Sequence, residues 1–295
     1  MSSAEGAIAD WERTGRFAYA GGHRVFLVEA GEATGGPAIV LLHGFPSSSL
    51  DWRTVVPALA ERARVLAFDF PGYGMSDKPF DARYSLFEQA DTAEAVIGAA
   101  GIERCTLVAH DMGDSVCAEL LMRSVEGRLG FEPERVILLN GSVFIDLAQL
   151  SPGQLALLSM PDEVLADRPP MEMFRPGLAA TFSADHPASD EDLDGIVEMV
   201  RRSEGDRLLP RLIRYIEERR ANQDRWTAGL VEYPGPLTLL WGEQDPIAVV
   251  AMTERLATLR PGTEVVTWPD VGHWPTLEAP DRVADAVLAR VLGRE

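Results

Sequence analysis

Basic residues are scarce in this chain. Its 27 Lys and Arg stand against 46 Asp and Glu, a net charge of -19. That balance excludes a phosphate-reading surface, because nucleic-acid binding needs clustered cations. It works equally against attraction to anionic lipid, and its ordinary consequence is solubility. Cysteine is nearly missing: there are 2. Cys105 sits in an apolar strand-like run and Cys117 in the helix-like run after it. Both read as small buried thiols, with neither a disulfide framework nor a metal pair implied. No apolar run approaches the ~18 residues of a membrane span. The opening stretch MSSAEGAIADWERTG lacks a basic start and an apolar core, so it does not read as a secretory leader, and a cytoplasmic protein is expected. Internal repeats and low-complexity tracts are also missing.

What is present is ordinary globular material, 46% hydrophobic and 25% charged over 295 residues. That length suits one large domain, or one domain carrying an insertion. FAYAGGHRVFLVEAG reads as a hairpin turning at Gly-Gly. AIVLLHG, from Ala38 to Gly44, is continuously apolar, as a strand covered on both faces must be. RVLAFDFPG, CTLVAHD, RVILLNGS, PLTLLWGEQD and TEVVTWPDVGH follow as further strands, with helical patterns between them. The block from Phe144 to Leu230 is different, since it holds helical patches and no strand-like run. Alternating strands and helices predict an α/β fold with a mostly parallel, doubly covered sheet. The expected organisation is a core of residues 1–143 and 231–295, with residues 144–230 inserted as an all-helical lid. Such a lid would cover the C-terminal strand ends, where open α/β sheets bind ligands.

Polar residues gather just after the apolar strands: His43, Asp69, Asp111, Asn140, Asp245 and His273. In this topology they converge on one rim. Asp111 ends the run LVAHD, and a buried carboxylate is costly unless it is paired or hydrogen-bonded. Ala109-His110-Asp111-Met112-Gly113 has the form small-x-nucleophile-x-small, which a tight strand-to-helix turn requires. Such a turn exposes the central side chain and offers the next backbone N–H as an oxyanion donor. The order Asp111, Asp245, His273 is nucleophile, acid, histidine.

These residues carry a resemblance. HGFPSSSLDWR, DFPGYGMSDKP, GEQDP and VGHWPTLEAPDRV, placed around the elbow, resemble α/β-hydrolases with an aspartate nucleophile, the group of epoxide hydrolases and haloalkane dehalogenases. HDMGDSV, LLNGSVF and YIEERRANQDRW are most similar to the family of the mesoderm-specific transcript protein and its bacterial relatives. The resemblance implies the α/β-hydrolase fold and a catalytic triad of Asp111, Asp245 and His273. It also implies an oxyanion hole from the backbone N–H groups of Phe45 and Met112, with no metal or cofactor. A carboxylate attacks saturated carbon and forms a covalent alkyl ester. In the group, an opening epoxide takes a proton from a pair of lid tyrosines, and a departing halide is held by Trp and Asn N–H groups.

Here Met112 stands where dehalogenases commonly carry Trp, and HGFP is the epoxide-hydrolase form. The inserted block holds one tyrosine, Tyr215. His186 or Tyr73 is a candidate second donor. The expected activity is epoxide hydrolysis of a small apolar substrate. Haloalkane dehalogenation is one alternative, and a non-catalytic ligand-binding module on the same fold is another. Candidate pocket residues are His43, Asn140, Tyr215, Trp226 and Trp274. His43 is expected to order the oxyanion loop and His110 to pack beneath the elbow. Tyr215 is either a donor or lid packing, and both tryptophans are either packing or pocket wall. Asp114 and Ser115 belong to the first helical turn, and RLIRYIEERR reads as a solvated helix face. The only partner implied is a small-molecule substrate, and oligomeric state is not legible.

Overall fold

The computed structural model describes residues 3–32, 38–171 and 174–293. Eight strands form one sheet: β1 (Arg16–Ala20), β2 (His23–Ala30), β3 (Ala38–Leu42), β4 (Val65–Phe68), β5 (Arg104–His110), β6 (Glu132–Leu139), β7 (Leu237–Gly242) and β8 (Glu264–Trp268). Their spatial order is β1-β2-β4-β3-β5-β6-β7-β8. β1 pairs antiparallel with β2, and β2 with β4; every later pair is parallel. The expected Gly-Gly hairpin is therefore the antiparallel edge of an otherwise parallel sheet.

Helices cover both faces. They are α1 (Ser3–Thr14), α2 (Val56–Ala60), α3 (Leu86–Ala99), α4 (Met112–Val125), α5 (Pro152–Ser159), α6 (Phe174–Ala179), α7 (Asp190–Arg201), α8 (Leu209–Leu212), α9 (Tyr215–Ala221), α10 (Gln223–Glu232), α11 (Ala251–Leu259), α12 (Pro275–Glu278) and α13 (Pro280–Val291). Side chains alternate across a strand, so each central strand feeds two cores. Val40, Leu42, Leu107, Ala109, Val136 and Leu138 join one apolar cluster. Ile39, Leu41, Val108, Ile137 and Leu139 join the other. Each such buried aliphatic side chain contributes roughly 1.5–3 kcal/mol relative to exposure. Both cysteines are buried and free, as expected. No helix among the described residues is long and apolar enough to cross a membrane.

The first residues carry no signal in the sequence, yet they fold as α1. Trp11 is buried there and its Nε1–H donates to Ser49 Oγ at 3.1 Å. Between β6 and β7 the described chain is helical, α5 to α10. α10 lies close against α4, where a Cβ at Gly229 would come within 3.0 Å of the Met122 nitrogen. α9 is tied to the start of α3: Glu218 accepts from the Ser85 hydroxyl at 2.5 Å and from the Leu86 N–H at 2.6 Å.

The first turn of α4 presses on the end of β3. A Cβ on Gly113 would lie 2.7 Å from the Leu42 carbonyl oxygen and 2.8 Å from that of His43. Backbone cannot yield as a flexible side chain does. Gly113→Ala is expected to lose roughly 1–3 kcal/mol, the cost of overpacking, read as a lower urea midpoint; an unchanged midpoint would contradict this packing.

Candidate active site

Asp111 stands at the junction of β5 and α4. Its backbone has φ 52° and ψ -114°, a conformation L-residues rarely adopt. The strain is held from both sides: the Asp111 N–H donates to the Leu139 carbonyl at 3.2 Å, and its own carbonyl accepts from the Asp114 N–H at 3.1 Å. The residue is only 3% exposed. Its Oδ2 accepts from the Phe45 N–H at 2.8 Å. Gly44 lets that loop approach, since a Cβ there would sit 2.7 Å from the same oxygen. Met112 is the first residue of α4. Its N–H therefore has no acceptor within the helix. Of the two expected oxyanion residues, Phe45 thus bonds the Asp111 carboxylate and Met112 follows it directly in the chain.

His273 Nε2 lies 4.0 Å from Asp111 Oδ1. Its Nδ1 is 2.8 Å from Asp245 Oδ2. Asp245 is saturated with donors: Oδ1 accepts from the Ile247 and Ala248 N–H groups at 2.7 and 3.0 Å, and Oδ2 accepts from Asn140 Nδ2 at 2.8 Å. Asn140 Nδ2 also donates to the Gly242 carbonyl at 3.1 Å, while its Oδ1 accepts from the Gly242 N–H at 2.8 Å. Asn140 thus fastens the end of β6 to the acid turn after β7, and its polar atoms are committed away from a substrate. Burial alone would lower the His273 imidazole. The Asp245 charge and hydrogen bond, with the charges of Asp111 and Glu278, outweigh it and raise the pKa to about 9.

A residue the sequence reading passed over holds this histidine in place. Glu278 Oε1 accepts from the Trp274 N–H at 2.9 Å, and Oε2 from the Gly272 and Ser183 N–H groups at 2.8 and 3.0 Å. It clamps the backbone on both sides of His273 and ties in the stretch after α6. The signal was available as the acid five residues beyond the histidine, but nothing in the sequence says that its carboxylate turns back. The main chain of His273 is held twice more. Its N–H donates to the Thr181 carbonyl at 3.0 Å, and its carbonyl accepts from His110 Nε2 at 2.7 Å. His110 is buried beneath the elbow, as expected, and burial, with the nearby His273, lowers its pKa to about 4.

The pocket candidates divide. His43 Nε2 accepts from the Phe70 N–H at 3.0 Å, which leaves Nδ1 protonated and donating to the Gly44 carbonyl at 2.9 Å. Both nitrogens serve the loops, so His43 orders Gly44–Phe45 and is not a substrate contact. Trp226 is turned away from the elbow. Its Nε1–H donates to Glu119 at 3.1 Å, within a cluster that includes Arg123, Arg128 and Arg225. Trp274 Nε1–H donates to Thr181 Oγ1 at 2.7 Å, and its ring stacks on Phe182. Both tryptophans therefore read as packing. His186 lies apart, with Nε2 3.0 Å from Asp270.

Tyr215 is buried, its ring 5.6 Å from that of Phe45. Tyr73 is buried beside His43, and its hydroxyl donates to Met112 Sδ at 3.2 Å. Burial raises both phenols well above their ordinary range, and the Asp111 charge adds to it in each case. Two tyrosines thus lie within electrostatic reach of the carboxylate, one from the core and one from α9. The reading of RLIRYIEERR as a solvated face needs correction. Arg219 is 2% exposed: it lies one turn beyond the buried Tyr215, on the same inward face of α9.

This arrangement is that of an α/β-hydrolase: a polar group on a strained elbow, a buried histidine facing it, and an acid behind the histidine. The chain matches the alpha/beta hydrolase family over residues 39–286 and belongs to it. It is 38% identical to LipZ of Mycobacterium tuberculosis, over 96% of this chain and 97% of that one. It is 33% identical to the human mesoderm-specific transcript homolog protein, over 93% of this chain and 84% of the relative. Among solved structures, the epoxide hydrolase CorEH superposes with a TM-score of 0.75 at 23% identity, over 96% of this chain and 99% of that one, a likeness of fold alone.

The raised imidazole has a consequence for stability. A group whose pKa rises on folding contributes stability that is complete below its unfolded value, here 6.5, and is lost as pH rises through about 9. Lys78, lowered to about 8 by burial, acts in the opposite sense. The difference between wild type and His273→Gln isolates the histidine. Between pH 6.5 and 9 the urea stability of wild type is expected to fall relative to the variant, by up to about 3 kcal/mol. Parallel pH profiles would contradict the buried ion pair.

Proposed function

We propose that this protein is a cofactor-free hydrolase with Asp111 as nucleophile, and that it opens epoxides through a covalent ester. The observation that carries this is the Asp111 carboxylate itself, hydrogen-bonded by the Phe45 N–H and facing His273 Nε2 across 4.0 Å. An Asp111 oxygen attacks an epoxide carbon and the ring C–O bond breaks. The alkoxide takes a proton from the Tyr215 or Tyr73 hydroxyl, giving a hydroxyalkyl ester. Esterification removes the Asp111 charge, one of those that hold the proton on His273. That proton then returns to the tyrosinate, and the imidazole becomes a base.

Neutral His273 takes one proton from a water, whose oxygen attacks the Asp111 carboxyl carbon. The oxyanion of the tetrahedral intermediate is held by the Phe45 and Met112 N–H groups. Collapse breaks the ester C–O bond, regenerates the carboxylate and leaves the second water proton on the released diol. Asp245 keeps the histidine oriented throughout.

The choice of epoxide over halide rests on donors. A halide needs free N–H groups, yet Trp226 donates to Glu119, Trp274 to Thr181, and Asn140 to Asp245 and Gly242. The hydroxyl of Tyr73 is spent only on a thioether, a weak acceptor. Phenol donors therefore stand near the nucleophile, and the usual indole and amide donors are committed elsewhere.

His273→Gln protein should accumulate the ester. Incubated with a panel of small epoxides and bromoalkanes, it is expected to gain the mass of one epoxide, located at Asp111 by peptide mass spectrometry. An adduct from bromoalkanes only would transfer the assignment to dehalogenation. No adduct from any compound would sink the covalent mechanism and favour a ligand-binding module.

A further inference from the structure

One cation near the elbow is not used by the mechanism. Arg219 is 2% exposed, and neither Nη1 nor Nη2 has a hydrogen-bond partner among the described residues. Burying a guanidinium without an acceptor is expensive, so such groups are normally paired. The acids within electrostatic reach do not pair with it. Asp111 and Asp114 both act on its charge. Asp111 Oδ2 is instead taken by the Phe45 N–H, and the Asp114 carboxyl is set against the Leu139 and Gly141 main chain. Asp114 lies beneath the elbow in the first turn of α4, where burial pushes its carboxyl far up against the opposing pull of Arg219. A carboxyl held neutral neither satisfies a cation nor repels an incoming anion. Arg219 also follows Tyr215 by four residues on α9, so both face the same way. The proposed proton donor and the unpartnered cation are therefore neighbours beside the nucleophile.

We propose that Arg219 anchors a carboxylate on the substrate, so that the electrophile this site takes carries an acid group. A guanidinium offers two parallel N–H donors that match the two oxygens of a carboxylate. Low dielectric strengthens that pairing, and the ligand would supply the acceptors that the protein does not. The electrophilic carbon would then be held between the anchor and Asp111, with Tyr215 beside its leaving oxygen. This specificity rests on the epoxide reading for the nature of the electrophile, while the anchor itself can be tested without turnover.

Calorimetric titration of the full chain with unreactive short aliphatic and aryl carboxylates, each against its neutral amide, reads the anchor directly. Wild type is expected to bind at least one acid tenfold or more tighter than its amide. Arg219→Gln should lose that preference, and Arg219→Lys should keep part of it. Wild type showing no such preference in any pair overturns the proposal, whether or not the variants fold, and so does an undiminished preference in Arg219→Gln. A parallel assay compares neutral epoxides with epoxides bearing a carboxylate, where KM for the acid should rise in Arg219→Gln more than kcat falls. Acid preference without turnover of any epoxide leaves the anchor standing and overturns the epoxide reading. Turnover without acid preference does the reverse.

Discussion

The carboxylate of Asp111, buried at the end of a central strand, is the constraint on which the rest of the structure depends. Burial of an acid is tolerable only where donors are fixed in advance. Here the loop after β3 delivers the Phe45 N–H, and α4 begins at the next residue. That delivery sets further requirements. Gly44 and Gly113 must be small because the loop, the elbow and the end of β3 crowd one another. His43 must be neutral and bonded at both nitrogens to hold the loop against Phe70. An unusual backbone at a single residue is thus supported by packing that extends across three strands.

Around this centre the polar groups fall into two kinds. Asp245, Asn140, His43 and Glu278 are satisfied by neighbours and act by positioning, as does His110 through its Nε2. Tyr73 and Arg219 keep capacity that the fold leaves unfilled or fills weakly, and Tyr215, hydrogen-bonded to Gln154, lies with them within electrostatic reach of Asp111. The division follows from geometry more than from residue type, since asparagine, histidine and glutamate serve as scaffold here while an arginine of α9 does not.

Much of this was legible beforehand. The strands announced themselves as apolar runs ending in polar residues, because a strand covered on both faces has no polar side to show. The elbow was legible because so tight a turn demands small residues at Ala109 and Gly113. The pocket was not. Trp226, Trp274 and Asn140 are of the types that line a site, and only their partners reveal that their N–H groups are committed. Glu278 was missed because a clamp made of backbone contacts leaves no motif. The N-terminal helix was missed because its apolar residues are few, and Trp11 gains its place from tertiary contact with Ser49 and the apolar cluster beneath it.

The sequence by itself determined the fold and the order in which Asp111, Asp245 and His273 follow its strands. Those depend on local periodicity and on short spacings that any chain must satisfy to make such a turn. Tertiary structure decided which polar side chains are free. It buried Arg219 with Tyr215 on one face of α9, brought Tyr73 and Tyr215 within electrostatic reach of one carboxylate from segments far apart in the chain, and committed the Asn140 amide to Asp245 and Gly242. A donor is committed or available only relative to neighbours that sequence distance does not reveal, and that is why the electrophile is read from the folded site.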